Sequence, residues 1–171
     1  MPSLTGLAWS FPLVFLVHDA EEVLTAEVWA RRHARLVDRA PAVLAPLVRV
    51  TTGQMAVAVA FLFGGVCAVA ALAARATGAG PRVTIFATAL AALFINGLTH
   101  VAQALALRGY VPGLVTAVVL VLPYTAAALR RLLVSRLVTG RQLAGAHAAA
   151  GLLTVPVVLG ALALGRALTR R

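Results

Sequence analysis

Long apolar stretches alternate along the chain with short breaks rich in Arg, Gly and Pro. Five stretches are long enough to cross the ~30 Å core of a membrane as helices, since a helix rises ~1.5 Å per residue. Their approximate bounds are Leu4–Trp29, Gln54–Ala74, Val83–Leu107, Val111–Leu129 and Gly145–Leu168. The pattern predicts an all-α, polytopic membrane helix bundle of about five transmembrane helices, with residues 1–171 forming a single domain.

The breaks predict how neighbouring helices are connected. Residues Thr77–Pro81 contain two glycines and a proline, which interrupt helices. Residues Arg108–Tyr110 form so short a turn that the third and fourth helices are expected to be antiparallel neighbours. We expect Arg31–Thr52 to be a polar connector, and Arg130–Arg141 to continue the fourth helix along the membrane surface.

The first stretch differs from the others because its second half carries Asp19, Glu21, Glu22 and Glu27. A charged side chain at the centre of a membrane helix costs roughly 2.5–3.5 kcal/mol on insertion scales. The sequence therefore leaves two courses open for this helix. It either spans the membrane or runs out into the interface after Glu22.

Composition supports the membrane interpretation and limits the partners. Hydrophobic residues make up 61% of the chain, charged residues 12%, and the mean hydropathy is +0.96, which excludes a disordered chain and an ordinary water-soluble enzyme. The net charge of +10 comes from 15 arginines without lysine, and these flank the apolar stretches. We therefore expect a lipid bilayer, and no nucleic acid, as the partner. Nine arginines beside the end of the first helix, against six on the other side, favour a cytoplasmic C-terminus.

The first candidate for chemistry is His18-Asp-Ala-Glu21-Glu22, which follows fourteen uncharged residues of the first stretch. His18, Glu21 and Glu22 are spaced i, i+3 and i+4 and share one helix face, whereas Asp19 points about 100° away. Two adjacent buried carboxylates cannot both be ionised at low cost. One of them is expected to be protonated, or a cation is bound.

Two further polar motifs follow in the third and fourth stretches. Asn96 and His100 are spaced i,i+4, and Tyr110-Val-Pro-Gly-Leu-Val-Thr116 begins the fourth helix. Because the first and third helices run in the same direction, helical rise places these polar groups at nearly the same depth, near the first connector. We expect one shared cavity there, with His147 outside it.

The three motifs together resemble the HXXEE domain family of small prokaryotic integral membrane proteins. The chain carries H-x-x-E-E at His18–Glu22, N-x-x-x-H at Asn96–His100 and Y-x-P-G-x-x-T at Tyr110–Thr116. The resemblance covers most of the chain up to about Thr116. It supports these site residues and names no reaction, and it implies a multi-pass protein of a prokaryotic inner cell membrane.

The residues favour a membrane-embedded enzyme with an intramembrane His/Glu/Asn site. His18, Glu22 and His100 are the candidate ligands of one divalent metal (Zn, Fe or Mn), because His₂Glu sets hold catalytic zinc with an open position. The candidate catalytic residues are Glu21, Glu22, Asn96 and Tyr110, and Thr116 is the candidate substrate-binding residue. A metal-free version with paired glutamates as general acid and base stays open.

A site that opens within a bilayer favours a membrane lipid or another hydrophobic small molecule, lipid-like or isoprenoid-like, as the substrate. The expected reaction is hydrolysis or isomerisation/cyclisation by acid–base chemistry. Two alternatives remain. A proton or metal-ion transporter would need a polar trail to the far side of the bundle, and a structural subunit would use the polar groups only to clamp helices together.

Overall fold

The computed structural model describes residues 4–42 and 45–169, so Arg170 and Arg171 of the arginine count lie outside it. Within these ranges the regular structure is entirely helical. The elements are α1 (Leu4–Arg32), α2 (Ala34–Asp38), α3 (Ala45–Val48), α4 (Thr52–Ala74), α5 (Pro81–Leu107), α6 (Leu114–Thr116), a π-helical turn (Ala117–Val121), α7 (Leu122–Val134) and α8 (Gly140–Thr169).

Four helical segments of the described chain, and not five, are long and apolar enough to cross a membrane. They are Thr52–Ala74, Pro81–Leu107, Leu114–Val134 and Gly140–Thr169. The prediction of about five transmembrane helices is thus corrected to four candidates within an all-helical bundle. The helix left out is α1, because four of the five acidic residues of the whole chain lie in its second half. It continues unbroken past Glu22 to Arg32.

The fourth and fifth predicted helices also have different bounds from those expected. The predicted basic continuation through Arg141 is wrong, because α7 ends at Val134 and the chain turns before α8 begins at Gly140. Thr139 and Gln142 cap the start of α8, with Thr139 N donating to Gln142 Oε1 over 2.8 Å and Gln142 N donating to Thr139 Oγ1 over 3.2 Å. This capping box starts α8 five residues before the predicted Gly145.

The core lies between α1, α4, α5 and the Leu114–Val134 segment. α1 packs most extensively against α4, and α4 and α5 both pack against α8. Phe11 of α1 meets Phe86 of α5 edge to face with 5.7 Å between ring centroids, and Leu90 and Leu132 are fully buried beside them. These contacts hold α1 beside α5, which places the polar halves of the two helices together.

The turn between α5 and α6 brings the third motif back to the same end of the bundle. α5 ends in a left-handed residue, Arg108, and Gly113 also has a positive φ of 79°. The helix that follows contains the π-helical turn directly after Thr116. As predicted from the short turn, α5 and this helix are neighbours in contact.

Candidate functional site

His18, Glu22 and His100 form a compact cluster between α1 and α5. One donor atom of each residue lies within 4.8 Å of the other two. Glu22 Oε1 is 2.8 Å from His100 Nε2 and 3.6 Å from His18 Nε2, and the imidazole centroids are 5.0 Å apart. His18 is completely buried and His100 is buried. The i,i+4 pair on α1 and the single histidine on α5 therefore meet, as their expected depths implied.

Asn96 lies one helical turn before His100 and contacts both imidazoles. Its Nδ2 is 3.0 Å from His18 Nε2 and 3.2 Å from His100 Nε2. The amide thus joins the two helices at the position where the two histidine rings approach each other. The structure brings Asn96 into the cluster without assigning it a step in a reaction.

Glu21 lies beside the cluster and binds the third motif. The backbone N–H and the hydroxyl of Thr116 donate to Glu21 Oε2 over 2.8 and 2.6 Å, and Val115 N donates to Oε1 over 3.3 Å. Tyr110 completes the set, because its hydroxyl donates to Glu21 Oε1 over 2.8 Å. The carboxylate therefore fixes the start of the helix that follows Gly113, where backbone N–H groups have no helical acceptor.

The contacts of Thr116 determine which nitrogen of His18 carries the proton. The hydroxyl of Thr116 has one hydrogen, and its shortest contact is with the Glu21 carboxylate. His18 Nδ1, 2.8 Å from the same oxygen, must then donate to it. His18 Nε2 then carries a lone pair, which accepts a hydrogen bond from Asn96 Nδ2 over 3.0 Å and faces the Glu22 carboxylate. A carboxylate that fixes a histidine tautomer in this way is typical of the surroundings of metal ligands.

The arrangement of the three donor atoms suits a bound metal better than it suits direct hydrogen bonds among them. His18 Nε2 and Glu22 Oε1 present lone pairs to each other over 3.6 Å. His100 Nε2 cannot both donate to Glu22 and accept from Asn96 at the same time. A tetrahedral site with bonds of ~2.0–2.1 Å separates its ligand atoms by about 3.3 Å, which lies between the two distances from Glu22. A cation bound by the three atoms would relieve the contact between His18 and Glu22, and Asn96 would then give up its hydrogen bonds to the two Nε2 atoms.

Gly113 is the residue of this site that sequence reasoning missed. A Cβ added there would lie 2.9 Å from His100 Cε1, 3.0 Å from Glu22 Oε1 and 3.0 Å from His18 Cε1. The positive φ of Gly113 also disfavours any side chain. The backbone of the third motif thus lies directly against the cluster, and only a glycine permits that approach. The signal is the glycine of Y-x-P-G-x-x-T, which is Gly113 in this chain.

Tyr110 lies at the outer edge of the site and is 42% exposed. Burial of part of the ring raises the pKa of the Tyr110 phenol, and the carboxylates of Glu21 and Glu22 raise it further, whereas the contact with Thr25 opposes them. The hydroxyl therefore keeps its proton at neutral pH. In the structure this hydroxyl donates a hydrogen bond to the Glu21 carboxylate.

His147 lies outside the cluster, whereas Asp19 is buried close to it. His147 Nδ1 donates to the Leu143 carbonyl over 2.9 Å, and its ring lies against Phe94 with centroids 6.3 Å apart, outside the His18–Glu22–His100 cluster. Asp19 was expected to face away from the cluster. It is buried, 8% exposed, and close enough to Glu22 for the two carboxyl groups to interact electrostatically.

A comparison with protein families identifies a match for this chain. A family model described as "Protein of unknown function with HXXEE motif" matches residues 9–128, which include all three motifs. No curated protein and no solved structure matches the chain. Because the match covers more than half of the chain, this protein belongs to the HXXEE family.

Proposed function

We propose that this HXXEE protein is a membrane-embedded enzyme that binds one divalent metal at His18, Glu22 and His100. The observation that carries the proposal is the cluster itself, in which three donor atoms from two helices lie within 4.8 Å of one another. The lone pair on His18 Nε2 that faces a carboxylate oxygen is the second support, because a cation relieves that contact. Imidazole and carboxylate ligands suit Zn, Fe or Mn.

The surrounding residues have separate roles in this proposal. Glu21 and Thr116 position His18 by fixing its tautomer, and Asn96 lies beside both imidazoles as a candidate catalytic residue. Gly113 allows the backbone of the third motif to pack directly against the two histidines and Glu22. A metal held by three protein ligands supplies Lewis-acid chemistry and lowers the pKa of a bound water. Glu22 and Tyr110 are the groups that would move protons at the reacting atoms.

The proposed substrate is a lipid-like or isoprenoid-like molecule, and the proposed reaction is hydrolysis or isomerisation/cyclisation. The four apolar helices support a substrate that reaches the site from the bilayer. The proposed location is a prokaryotic inner cell membrane, with the arginine-rich connector after α1 on the cytoplasmic side. This orientation follows the excess of arginine on that side.

The decisive experiment is metal analysis of the protein purified without chelators. Wild type should carry about one equivalent of a divalent metal, and His18→Ala should carry none. His147→Ala is the matched control, because His147 lies on an apolar helix outside the cluster and should leave the metal content unchanged. Wild type incubated with membrane lipid extract should then convert a lipid into a product with a different mass (hydrolysis) or with the same mass and a different chromatographic retention (isomerisation or cyclisation), and His100→Ala should not.

Other results would select the alternatives. Wild type that binds no divalent metal tighter than micromolar rejects the metal-dependent enzyme, and lipid turnover without metal would leave the acid–base enzyme. Metal-dependent uptake of ions into vesicles without lipid turnover would identify a transporter. A large loss of thermal stability in His18→Ala without metal binding in wild type would identify a structural clamp.

A further inference from the structure

A groove of about 500 Å³ lies beside the site, between the last turns of α1 and the α5–α6 turn. Its walls are apolar and include Leu24, Val28 and Leu107. Its volume lies within the range of small-molecule sites in proteins. The groove is separate from the His18–Glu22–His100 cluster. Its inner end lies next to Glu21, which accepts a hydrogen bond from the lining residue Tyr110.

The inner end of the groove is polar and contacts the site. Thr25 and Tyr110 line it, and the Tyr110 hydroxyl is 3.3 Å from Thr25 Oγ1 and 2.8 Å from Glu21 Oε1. Trp29 forms a fixed wall further out, because its indole N–H donates to the Tyr110 carbonyl over 2.7 Å. A molecule in the groove would therefore touch the side chain that links the third motif to Glu21.

The outer end of the groove carries an unpaired positive charge. Arg32 lines the groove, and Arg35 lines the adjoining depression with it. Neighbouring arginines have carboxylate partners, since Arg31 pairs with Glu27 over 2.9 Å and Arg49 approaches Asp38 to 3.7 Å. Among residues 4–42 and 45–169, no carboxylate pairs with Arg32 or Arg35.

We propose that the groove binds one bilayer lipid with an anionic headgroup, which Arg32 holds at the outer end while the apolar chain runs inward past Tyr110. The inference rests on the proposed function, because the bound lipid would be the enzyme's substrate. Arg32 lies ten residues beyond Glu22, so the headgroup is about 15 Å from the metal ligands along α1. The reacting group is then on the chain of the lipid and not on its headgroup.

The test uses the fluorescence of Trp29 in a Trp9→Phe background, where Trp29 is the remaining tryptophan. The protein in detergent micelles is titrated with phosphatidic acid or phosphatidylcholine that carry identical dibrominated chains, which quench a nearby indole. Phosphatidic acid should reach half-maximal quenching at an about fivefold lower mole fraction than phosphatidylcholine, a ratio that converts to about 1 kcal/mol. Excess inorganic phosphate should leave this quenching unchanged.

Arg32→Gln should abolish the preference for phosphatidic acid. Arg130→Gln, a matched loss of charge at an exposed position near the other end of the bundle, should retain it. Equal quenching by the two lipids, displacement by inorganic phosphate, or an equal loss in both variants would overturn the proposal. Metal content is measured on the same samples. A normal metal content without lipid preference rejects only the groove, and lipid preference without metal rejects only the metal-dependent enzyme.

Discussion

Two contacts between long helices lie near the same end of this bundle and are built in opposite ways. In the polar junction, α1, α5 and the start of the following helix meet through His18, Glu22, His100 and Thr116. In the apolar junction, α4 and α8 meet through small and aliphatic side chains, and Gly165 lies so close to the Gln54 carbonyl that a Cβ would collide with it. The polar junction is made by hydrogen bonds and ionisable side chains, and the apolar junction is made by close packing of apolar side chains.

The difference indicates which property each junction requires of its residues. At the apolar junction the volume of a side chain should determine the outcome, because the contact is made by close packing. At the polar junction the kind of atom should matter even when the volume is kept, because each donor faces one acceptor. Substitutions that separate volume from chemistry therefore test the comparison.

The largest effect is expected at the polar junction when a ligand is removed. His100→Ala and Glu22→Gln should lower metal affinity more than about 100-fold, the upper range for losing a group that only supports a ligand. Both variants should abolish function while thermal stability without metal stays nearly unchanged, because buried functional groups are a burden on stability. Metal titration and thermal unfolding in detergent measure the two quantities. Normal metal binding by His100→Ala would contradict this prediction.

The second effect concerns the backbone of the polar junction. Gly113→Ala should lower metal affinity or turnover by about 100-fold, because displacement of a site by about 1 Å has consequences of that size. Gly109→Ala is the control in the same turn, since its added Cβ would meet only a backbone oxygen at 3.8 Å. If both variants lost the same activity, the turn as a whole and not the approach of Gly113 would be responsible.

The third effect tests the positioning of His18. Thr116→Val keeps the shape of the side chain but removes the hydroxyl between His18 and Glu21, so metal affinity should fall about 10- to 100-fold. Thr116→Ser should restore most of it, because a serine supplies the same donor and acceptor. A larger loss in the serine variant than in the valine variant would show that the methyl group, and thus packing, matters more than the hydroxyl.

The fourth effect belongs to the apolar junction. Gly165→Ala should lower the free energy of unfolding by about 1–3 kcal/mol, because the added methyl group forces α8 away from the Gln54 carbonyl. Metal affinity should not change. Gly160→Ala on the same helix meets nothing within 4 Å and should be neutral or slightly stabilising. Chemical denaturation in detergent measures both variants, and an equal destabilisation by both would exclude the packing explanation.

The smallest effect is expected where α1 meets the start of α4. The backbone N–H and the hydroxyl of Thr52 hold the pKa of Glu27 below its usual value of 4.5, and Arg31 adds to this. A lowered folded-state pKa stabilises the protein above the usual value, and that stability is lost as pH falls below about 4.5. The melting temperature of Glu27→Gln should therefore fall less with acidification than that of wild type. Asp38→Asn, at a longer exposed ion pair, should behave like wild type.

Sequence spacing predicted which residues share a face of one helix, and it predicted the contacts between helices only in part. The i,i+4 spacing of His18 and Glu22 is a property of one helix, and the depth of His100 follows from helical rise. The position of Thr116 between His18 and Glu21 depends on the left-handed conformation of Gly113, which no periodicity encodes. Thr139 and Gln142 did encode the start of α8, and the apolar pattern around Gly145 obscured that signal.

The number of transmembrane helices was wrong for a related reason. A continuous apolar stretch predicted α1 as a span, yet the same helix carries the charges of the site. Mean hydropathy averages the effect of those charges over the whole helix. Their cost depends instead on contacts with α5 and Thr116 that only the folded structure provides.

The π-helical turn after Thr116 sets the rotational phase of the two halves of one long helix. Its wider turn contains an extra residue, so it offsets the half that holds Thr116 from the half that holds Tyr124. In this phase Thr116 reaches Glu21 while the Tyr124 hydroxyl donates to the Leu7 carbonyl over 3.0 Å, so both halves face α1. In a regular α-helix of the same length, Thr116 and Tyr124, which are eight residues apart, would point about 80° away from each other. This helix could then keep either the contact of Thr116 with Glu21 or the contact of Tyr124 with Leu7, and not both.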